Sequence, residues 1–290
     1  MQSGRKTILV TGGAGFIGSR LCEHLLNNGY SVLSLDNYST GIKENHIGNV
    51  TYIEGDTNDI EELIEDPVDL VYHLGEYARV EQSFDDVEAV LDSNVIGTKA
   101  VLEFCRKREC KLVYAGSSTK FADTGMGRDQ SPYAWTKASN TELVRNYGEW
   151  FNLEYAITYF YNVYGPGERG DSKSGTVIGI FRDLYKEGKP LTVREPGTQK
   201  RNFTYVDDIV DGIVLVGERG SGDEYGLGHP DAYSILEVAK MFGTEIVMLP
   251  ERAGNRMSSR VDVRRAEMEL GWKPKKNLPD YIGEIVESHT

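Results

Sequence analysis

The chain has 290 residues, a length that fits one large domain or a main domain carrying a smaller one. Hydrophobic residues make up 39% and charged residues 27%, which is typical of a globular protein with a sizeable core. The net charge is −13 and no Lys/Arg-rich run occurs, which argues against a nucleic-acid-binding protein.

The cysteines and the apolar segments indicate the cellular compartment of the protein. Cys22, Cys105 and Cys110 are odd in number and lack metal-ligand or redox-pair spacing, so we expect no metal site and free thiols in a reducing compartment. The start, MQSGRKTILVTGG, does not have the pattern of a signal peptide, and no apolar stretch is long enough to span a membrane. We therefore expect a cytoplasmic protein without a membrane partner.

In chain order, short apolar runs alternate with amphipathic segments through the first half. The runs are TILVTG, SVLSLDN, VTYIEGD, VDLVYHLG, KLVYAGSS and YAITYFYNVYG. Buried, nearly continuous strands between helices predict a parallel sheet covered on both faces. After residue 163 glycine and proline become frequent, which predicts a smaller, loop-rich part over the ends of the sheet.

The first predicted strand leads into a glycine motif. Gly12, Gly15 and Gly18 are spaced G-x-x-G-x-x-G between a strand and a helix. Such glycines allow a tight turn and a close approach to a pyrophosphate, and the helix N-terminus offers free N–H groups to the anion. The context predicts a dinucleotide site.

Two carboxylates follow the next strands. Asp36 comes 18 residues after Gly18, where a carboxylate binds the adenosine ribose and repels a 2′-phosphate, so NAD is favoured over NADP. A turn-forming role for Asp36 in LDNYSTG is the alternative. Asp56 is a weaker candidate for the adenine side, and a loop cap explains it nearly as well.

The stretch SPYAWTKAS places Tyr133 and Lys137 one helical turn apart. Side chains at positions i and i+4 share a helix face, and an ammonium near a phenol favours the phenolate. A tyrosine tuned in this way can act as a general acid or base. By itself the spacing favours an exposed tyrosine and a solvated lysine on an amphipathic helix, because it is common by accident.

Together these motifs resemble the extended short-chain dehydrogenases/reductases, the NAD-dependent epimerase/dehydratase family, in the group that acts on nucleotide sugars. The matching segments are VTGGAGFIGS, GDTND, NVIGT, YAWTK, YNVYGPGE, RNFTYVDDIV and ELGWKP. The resemblance implies an α/β fold: a Rossmann-type doubly wound parallel sheet with a smaller C-terminal α/β substrate-binding part. It assigns 1–162 and 202–228 to the NAD-binding domain, and 163–201 and 229–290 to the nucleotide-sugar-binding domain.

The resemblance also implies the roles of residues. Tyr133 would be the acid/base, Lys137 would hold the nicotinamide ribose, and Ser117 would orient the substrate. The expected NAD contacts are Gly12, Gly15, Phe16, Ile17, Gly18, Asp36, Asn37, Asp56, Thr57, Leu74, Asn94, Tyr133 and Lys137.

The residues after Ser117 bear on the reaction. Dehydratases of the family usually have Asp and Glu there, whereas this chain has Ser118 and Thr119, neither of which is an acid or base near neutral pH. The pattern resembles 4-epimerases of UDP-glucose and UDP-N-acetylglucosamine. A dehydratase, decarboxylase or reductase is the alternative enzyme, and a non-catalytic nucleotide sensor or scaffold is the alternative of another class.

A UDP-sugar is the expected partner. The residues that match substrate-binding positions of the family are Ser118, Asn162, Thr176, Val177, Arg201, Arg252 and Ser259. The small Ser259 favours room for an N-acetyl group, and each arginine could instead form a surface ion pair. The family also implies a homodimer through 86–104 and 133–150, although the amphipathic pattern there equally fits packing on the sheet.

Two features depart from the family pattern. Tyr133 comes only 16 positions after Ser117, a shorter interval than is usual in the family, which would reshape or open the sugar site. In HLGEYARVEQS, Glu76 stands where small residues are usual. We interpret Glu76 as a loop carboxylate facing solvent in preference to a substrate-side acid, and His73 as a structural residue.

Overall fold

Thirteen strands are assigned in the computed structural model, which describes residues 5–118, 127–170, 175–251 and 261–289. In chain order they are β1 (Thr7–Thr11), β2 (Ser31–Asp36), β3 (Thr51–Glu54), β4 (Leu70–His73), β5 (Lys111–Ser117), β6 (Tyr155–Phe160), β7 (Val163–Tyr164), β8 (Leu191–Arg194), β9 (Lys200–Asn202), β10 (Thr204–Tyr205), β11 (Gly222–Leu227), β12 (Ala232–Ser234) and β13 (Ile246–Leu249).

The helices follow the amphipathic segments of the sequence. They are α1 (Phe16–Asn27), α2 (Ile60–Leu63), α3 (Val87–Val90), α4 (Gly97–Arg108), α5 (Pro132–Phe151), α6 (Val177–Lys186), α7 (Val206–Arg219), α8 (Ile235–Met241) and α9 (Leu278–Glu287). Wider π-type turns occupy Leu91–Ile96 and Ala266–Leu270. Among the described helices, none has both the length and the apolar character needed to cross a bilayer.

Seven strands form one parallel sheet in the order β3-β2-β1-β4-β5-β6-β11. The strand order reverses direction between β1 and β4, and β1 lies between β2 and β4 with Leu9 paired to Leu33 and Val71. This order is that of the doubly wound dinucleotide-binding fold. The predicted fold class is confirmed.

Alternating side chains of the strands enter two cores, one on each face of the sheet. Leu9 of β1 packs with Val101 and Phe104 of α4 and with Val144 of α5. Its neighbours Ile8 and Val10 join the opposite cluster, which contains side chains of α1 and α7. Because side chains alternate across a strand and both faces are covered, every residue of β1 after Thr7 is buried.

A third core lies outside the main sheet, in the C-terminal part. It includes Phe181 of α6, Leu191 of β8, Val238 of α8 and Ile282 of α9. The strands here form small pairs, such as the parallel pair β8 and β13. The segment Ala266–Trp272 belongs instead to the sheet's own core, where the Trp272 indole donates to the Asp208 carbonyl at 2.8 Å. The domain boundaries therefore stay a prediction.

Glycines in two helices offer a matched test of this packing. A Cβ at Gly217 of α7 would lie 2.0 Å from the hydroxyl of the buried Tyr72, whereas a Cβ at Gly283 of α9 would meet no atom within 4 Å. We expect Gly217→Ala to lower the free energy of unfolding by about 1–2 kcal/mol through overpacking. Gly283→Ala should raise it by up to about 1 kcal/mol because alanine favours helix. Urea denaturation measures both, and equal effects would contradict this packing.

Candidate active site

The glycine motif forms the turn between β1 and α1. Gly12 has a φ of +76°, which favours glycine, and its N–H donates to the Leu35 carbonyl at 2.8 Å. A Cβ at Gly18 would lie 2.0 Å from the Gly12 carbonyl oxygen, so only glycine lets the helix pack so closely on the turn. Helix α1 begins at Phe16, which Ile17 follows in the first turn. Its N-cap residue is Gly15, which has no side chain that could form a capping hydrogen bond. The N–H groups of this first turn suit an anion.

Asp36 lies at the carboxyl end of β2, directly against the glycine turn. Its carboxylate is 7% exposed and accepts the N–H of Ala14 at 2.9 Å and that of Tyr38 at 2.9 Å. Each oxygen keeps further lone-pair capacity for a ribose hydroxyl. The position and the donor set therefore fit the predicted ribose contact.

The other predicted adenosine-side residues gather beside Asp36. Asn37 donates from Nδ2 to Asp56 Oδ1 at 2.6 Å, and both side chains are exposed. Thr57 is buried and packs closely on Gly97 of α4. The ends of β2 and β3 thus bring Asn37 and Asp56 together, and their contact with the adenosine stays a prediction.

Ser117, Tyr133 and Lys137 come from one strand end and one helix. Ser117 is the last residue of β5 and is 8% exposed. Helix α5 begins at Pro132, and its N-cap Ser131 accepts the Ala134 N–H at 3.0 Å, so Tyr133 occupies the first turn. The buried Lys137 returns to the strand, where its ammonium donates to the Ala115 carbonyl at 2.6 Å.

Glu76 forms a buried ion pair with Lys137, and the interpretation of Glu76 as a solvent-facing loop carboxylate is wrong. The Glu76 side chain is 2% exposed, that of Lys137 is 7% exposed, and Nζ donates to Glu76 Oε2. A buried ammonium needs a counter-charge, because water no longer solvates it. The sequence signal was present, since a charged residue stood at a strand end where small residues are usual.

Tyr114 of β5 completes the surroundings of the ammonium, and sequence reasoning missed it. Its ring centroid lies 4.8 Å from Lys137 Nζ, and its hydroxyl donates to Glu76 Oε1 at 3.1 Å. Burial, followed by the Glu76 charge, raises the pKa of Tyr114 well above its usual range, and the nearby Tyr133 acts in the same direction. Tyr133 therefore lies within electrostatic reach of this cluster.

His73, at the end of β4, is a structural residue as predicted. Its Nδ1 is 2.7 Å from Thr11 Oγ1, and its Nε2 is 3.1 Å from Thr98 Oγ1. Complete burial lowers the pKa of His73 to about 4, so the ring is neutral near pH 7.

Two further residues predicted to contact NAD, Leu74 and Asn94, form hydrogen bonds within the protein. The Leu74 N–H donates to the Thr11 carbonyl at 3.2 Å and so aligns the start of the loop after β4. Asn94 is fully buried; its amide donates to the Tyr77 carbonyl at 3.1 Å and to Thr136 Oγ1 at 3.0 Å, and its oxygen accepts the Tyr77 N–H. A direct NAD contact from the Asn94 side chain stays a prediction.

The predicted substrate residues lie around the C-terminal part. Asn162 is exposed, has a φ of +39°, and donates to the Asn202 carbonyl at 2.8 Å. Arg201 is half-buried and donates to the Lys200 carbonyl at 2.8 Å. Ser118 is half-buried beside Ser117. Thr119, Arg252 and Ser259 lie outside the described residues.

Thr176 and Val177 begin helix α6 next to a buried carboxylate that sequence reasoning missed. The Thr176 hydroxyl accepts the Gly179 N–H at 3.0 Å and donates to Glu168 Oε2. Glu168 is 4% exposed and also accepts the Gly165 N–H at 3.2 Å. Burial is the largest effect on this group and raises the pKa of Glu168 to about 7. The surrounding sequence, GPGERG, predicted only a loop rich in glycine and proline.

No group of three or more metal-binding side chains occurs in the part of the chain that the structure describes. The arrangement there is of a different kind: an uncapped helix N-terminus, a carboxylate at the end of β2, and a serine, tyrosine and lysine at the end of β5. Such a set can bind a dinucleotide and transfer a proton beside it.

Comparison with known proteins agrees with this geometry. The model of the NAD dependent epimerase/dehydratase family matches residues 8–228. A relative in Xenopus tropicalis, UDP-glucuronic acid decarboxylase 1, is 29% identical over 98% of this chain and 72% of that protein.

Solved structures of 4-epimerases are similar over nearly the whole chain. UDP-glucose 4-epimerase from Thermotoga maritima, solved with UDP-glucose, has a TM-score of 0.91 and 28% identity, with 97% of each chain covered. UDP-glucose 4-epimerase from Thermus thermophilus, solved with NAD, has a TM-score of 0.86 and 28% identity, with 98% of each chain covered.

The buried Glu168 provides a test by pH. Its pKa in the folded protein lies above the ordinary value of 4.5, so its stabilising contribution is complete below that value and is lost as the pH rises towards about 7. Glu168→Gln cannot ionise and escapes this loss. We expect the free energy of unfolding of the variant, relative to the original protein, to rise by about 2–3 kcal/mol between about pH 5 and about pH 8.

Urea denaturation at the two pH values measures this change. Glu62→Gln, which removes an exposed carboxylate from α2, is the matched control and should show no such trend. A pH-independent difference for Glu168→Gln would show that this carboxyl group does not titrate in the predicted range.

Proposed function

We propose, from the premise that this chain belongs to the NAD dependent epimerase/dehydratase family, that it is a nucleotide-sugar 4-epimerase acting through a transient 4-keto sugar. The observation that carries the proposal is the convergence of β5 and α5. Ser117 ends the strand, Tyr133 occupies the first turn of the helix, and Lys137 is bonded back to Ala115 of the same strand.

The position of Tyr133 supports a role in proton transfer. Tyr133 lies one helical turn from Lys137, and it would be the acid/base that takes up the proton of the sugar's C4 hydroxyl and later returns it. Ser117 orients that hydroxyl by hydrogen bonding. The glycine turn, Asp36 and Lys137 would hold NAD, which would supply reversible hydride transfer at C4 without a net redox change. For inversion at C4, the keto sugar turns within the site while Tyr133 keeps the proton for the return step.

Epimerisation needs no other acid or base, and this fits the residues that follow Ser117. Ser118 and Thr119 carry hydroxyl groups, which do not protonate a leaving group efficiently near neutral pH. Elimination of a sugar hydroxyl requires a side chain that protonates the departing group. We therefore favour epimerisation over 4,6-dehydration.

The substrate is proposed to be a UDP-sugar, in particular a UDP-N-acetylhexosamine. Arg201 and Arg252 carry planar guanidinium groups that suit a pyrophosphate, and Asn162 would add a polar contact. Thr176 and Val177, at the start of α6, would border the nucleobase. The resemblance to the family implies that a small residue at position 259, here serine, would leave room for an N-acetyl group.

Decarboxylation of UDP-glucuronic acid is the second candidate. It is favoured by the similarity to UDP-glucuronic acid decarboxylase 1, which extends over 98% of this chain. Both reactions begin with oxidation at C4. They differ in whether the sugar's carboxylate is lost as CO₂ before the keto group at C4 is reduced again.

The test is product analysis by NMR with NAD⁺ supplied. We expect UDP-N-acetylglucosamine to give a mixture of C4 epimers without accumulation of NADH. UDP-glucose and UDP-glucuronic acid are assayed in parallel. Strict use of UDP-glucose would contradict the N-acetylhexosamine proposal, and release of CO₂ from UDP-glucuronic acid would support the second candidate instead.

Tyr133→Phe is the control variant for this assay. It removes the acid/base and keeps the ring, so turnover should fall by about 10²–10⁴-fold, with NAD binding retained. Unchanged turnover in this variant would contradict the assignment of Tyr133. A protein that binds NAD and turns over none of the three sugars would favour the sensor or scaffold.

We also propose that the protein is cytoplasmic. The support is that Cys22, Cys105 and Cys110 are all free and buried. Free thiols are the common state in reducing compartments.

A homodimer through 86–104 and 133–150 is part of the same proposal. Apolar side chains in these segments are unusually exposed: Val87 at 41%, Leu91 at 39%, Ile96 at 50% and Trp135 at 43%. A contiguous apolar surface of this kind is typical of a protein interface.

Charge placed in this surface tests the dimer. We expect Leu91→Asp to convert the dimer to a monomer, because a carboxylate would lose its solvation in the interface. Light scattering coupled to size-exclusion chromatography measures the mass. Met268→Asp, at an apolar side chain that is 80% exposed elsewhere, is the matched control and should leave the mass unchanged. A dimer that persists in Leu91→Asp would contradict this interface.

A further inference from the structure

We propose that Glu76 is a positioning residue that holds the Lys137 ammonium in its working place before the cofactor arrives. The proposal rests on the proposed role of Lys137 at the nicotinamide ribose. It starts from the ion pair between the loop after β4 and helix α5, in which both side chains are nearly inaccessible to solvent.

The ion pair has the features of a compensated buried charge. Nζ of Lys137 lies between Glu76 Oε2, the Ala115 carbonyl and the ring face of Tyr114. An ammonium has three N–H bonds, and two of them point to these protein oxygens. Among the described residues, no third oxygen is bonded to Nζ, and the ring of Tyr114 lies against it. Removal of one member of such a pair leaves the other charge buried and unpaired, which is strongly unfavourable.

Glu76 is buried and bonded to four donors of the protein, which argues against a direct role on the substrate. Its Oε1 accepts from Tyr114 at 3.1 Å, Asn140 at 3.0 Å and Thr98 at 3.1 Å. Its Oε2 accepts from Lys137. Three donors share Oε1, Lys137 binds Oε2, and the side chain is only 2% exposed, so a sugar hydroxyl has little access to this carboxylate. Glu76 therefore acts on the reaction through Lys137.

A directed chain of hydrogen bonds fixes Glu76 to the glycine turn. Thr11 Oγ1 accepts the N–H groups of Gly75 at 2.9 Å and Leu74 at 3.2 Å, so its own proton goes to His73 Nδ1. This assignment places the ring proton of the neutral His73 on Nε2, facing Thr98 Oγ1.

The chain ends at the carboxylate. Thr98 accepts from His73 and donates its own proton to Glu76, so every donor in the series points towards Glu76. The series begins at the last residue of β1, where the glycine turn starts, and ends at the partner of Lys137. Glu76 thus ties the position of the ammonium to the part of the site expected to bind the cofactor's phosphates.

A double-mutant cycle on NAD affinity tests this role. Glu76→Gln keeps the shape of the side chain and removes its charge. We expect it to raise the NAD dissociation constant by about tenfold or more, the size of one lost hydrogen bond to a charged group. In a Lys137→Met background, where the ammonium is gone, Glu76→Gln should change the dissociation constant by less than about twofold.

The cycle distinguishes a role of Glu76 in positioning Lys137 from a role in stabilising the fold. Equal weakening of NAD binding by Glu76→Gln in both backgrounds would overturn the proposal, and so would unchanged binding in the original background. Should Glu76→Gln fail to fold, Glu76→Asp replaces it in the same cycle. It retracts the charge by one methylene, and we expect a smaller loss that again disappears with Lys137→Met. Glu62→Gln, at an exposed carboxylate, controls for net charge and should have no effect.

Turnover gives a second readout once a substrate is known. Displacement of the ammonium should lower kcat by about 10- to 100-fold and leave the KM for the sugar nearly unchanged. A rise in KM with unchanged kcat would overturn the proposal. The NAD-binding cycle needs no sugar substrate, so a failure of the proposed epimerase activity would be distinguishable from a failure of this role of Glu76.

Discussion

The ammonium of Lys137 is a charge that the protein has to keep inside, and the neighbouring elements are arranged around it. Helix α5 supplies the lysine, β5 supplies the Ala115 carbonyl and the Tyr114 ring, and the loop after β4 supplies the carboxylate of Glu76. Asn140 also binds Glu76. Because an uncompensated buried charge is costly, these elements are held in register with one another. The proposed chemistry at Tyr133 depends on this arrangement.

At the other end of the site, the charge that the protein has to accommodate is negative. The chain has a net charge of −13, yet the cofactor of its family carries a pyrophosphate. We propose that the glycine turn meets this need locally with backbone N–H groups at the start of α1, which has no side-chain cap. Asp36 lies beside the turn, where Ala14 and Tyr38 donate to its carboxylate. In this proposal fixed dipoles, rather than net charge, provide for the anion.

The site residues were predictable to different degrees, for physical reasons. Asp36 and the glycines follow local rules of strand, turn and helix, so their spacing was sufficient to locate them. Glu76 and Glu168 were misjudged or missed because both lie in loops, where a carboxylate is usually solvated. Glu76 pairs with Lys137, which is distant in the chain, whereas Glu168 contacts Thr176 and Arg182 at and in the following helix α6. Neither contact follows a regular helix or strand spacing, so the sequence pattern did not reveal it.

The sequence alone determined the class of fold, the family, the dinucleotide turn and the pair of Tyr133 and Lys137, because each rests on short-range periodicity or on a contiguous motif. The tertiary structure decided what surrounds the lysine. It showed that Glu76 faces inward, that Tyr114 lies against the ammonium, and that Thr11, His73 and Thr98 form a chain to the carboxylate. These contacts join β1, β4, α4 and β5, which meet only when the parallel sheet assembles and its carboxyl ends come together.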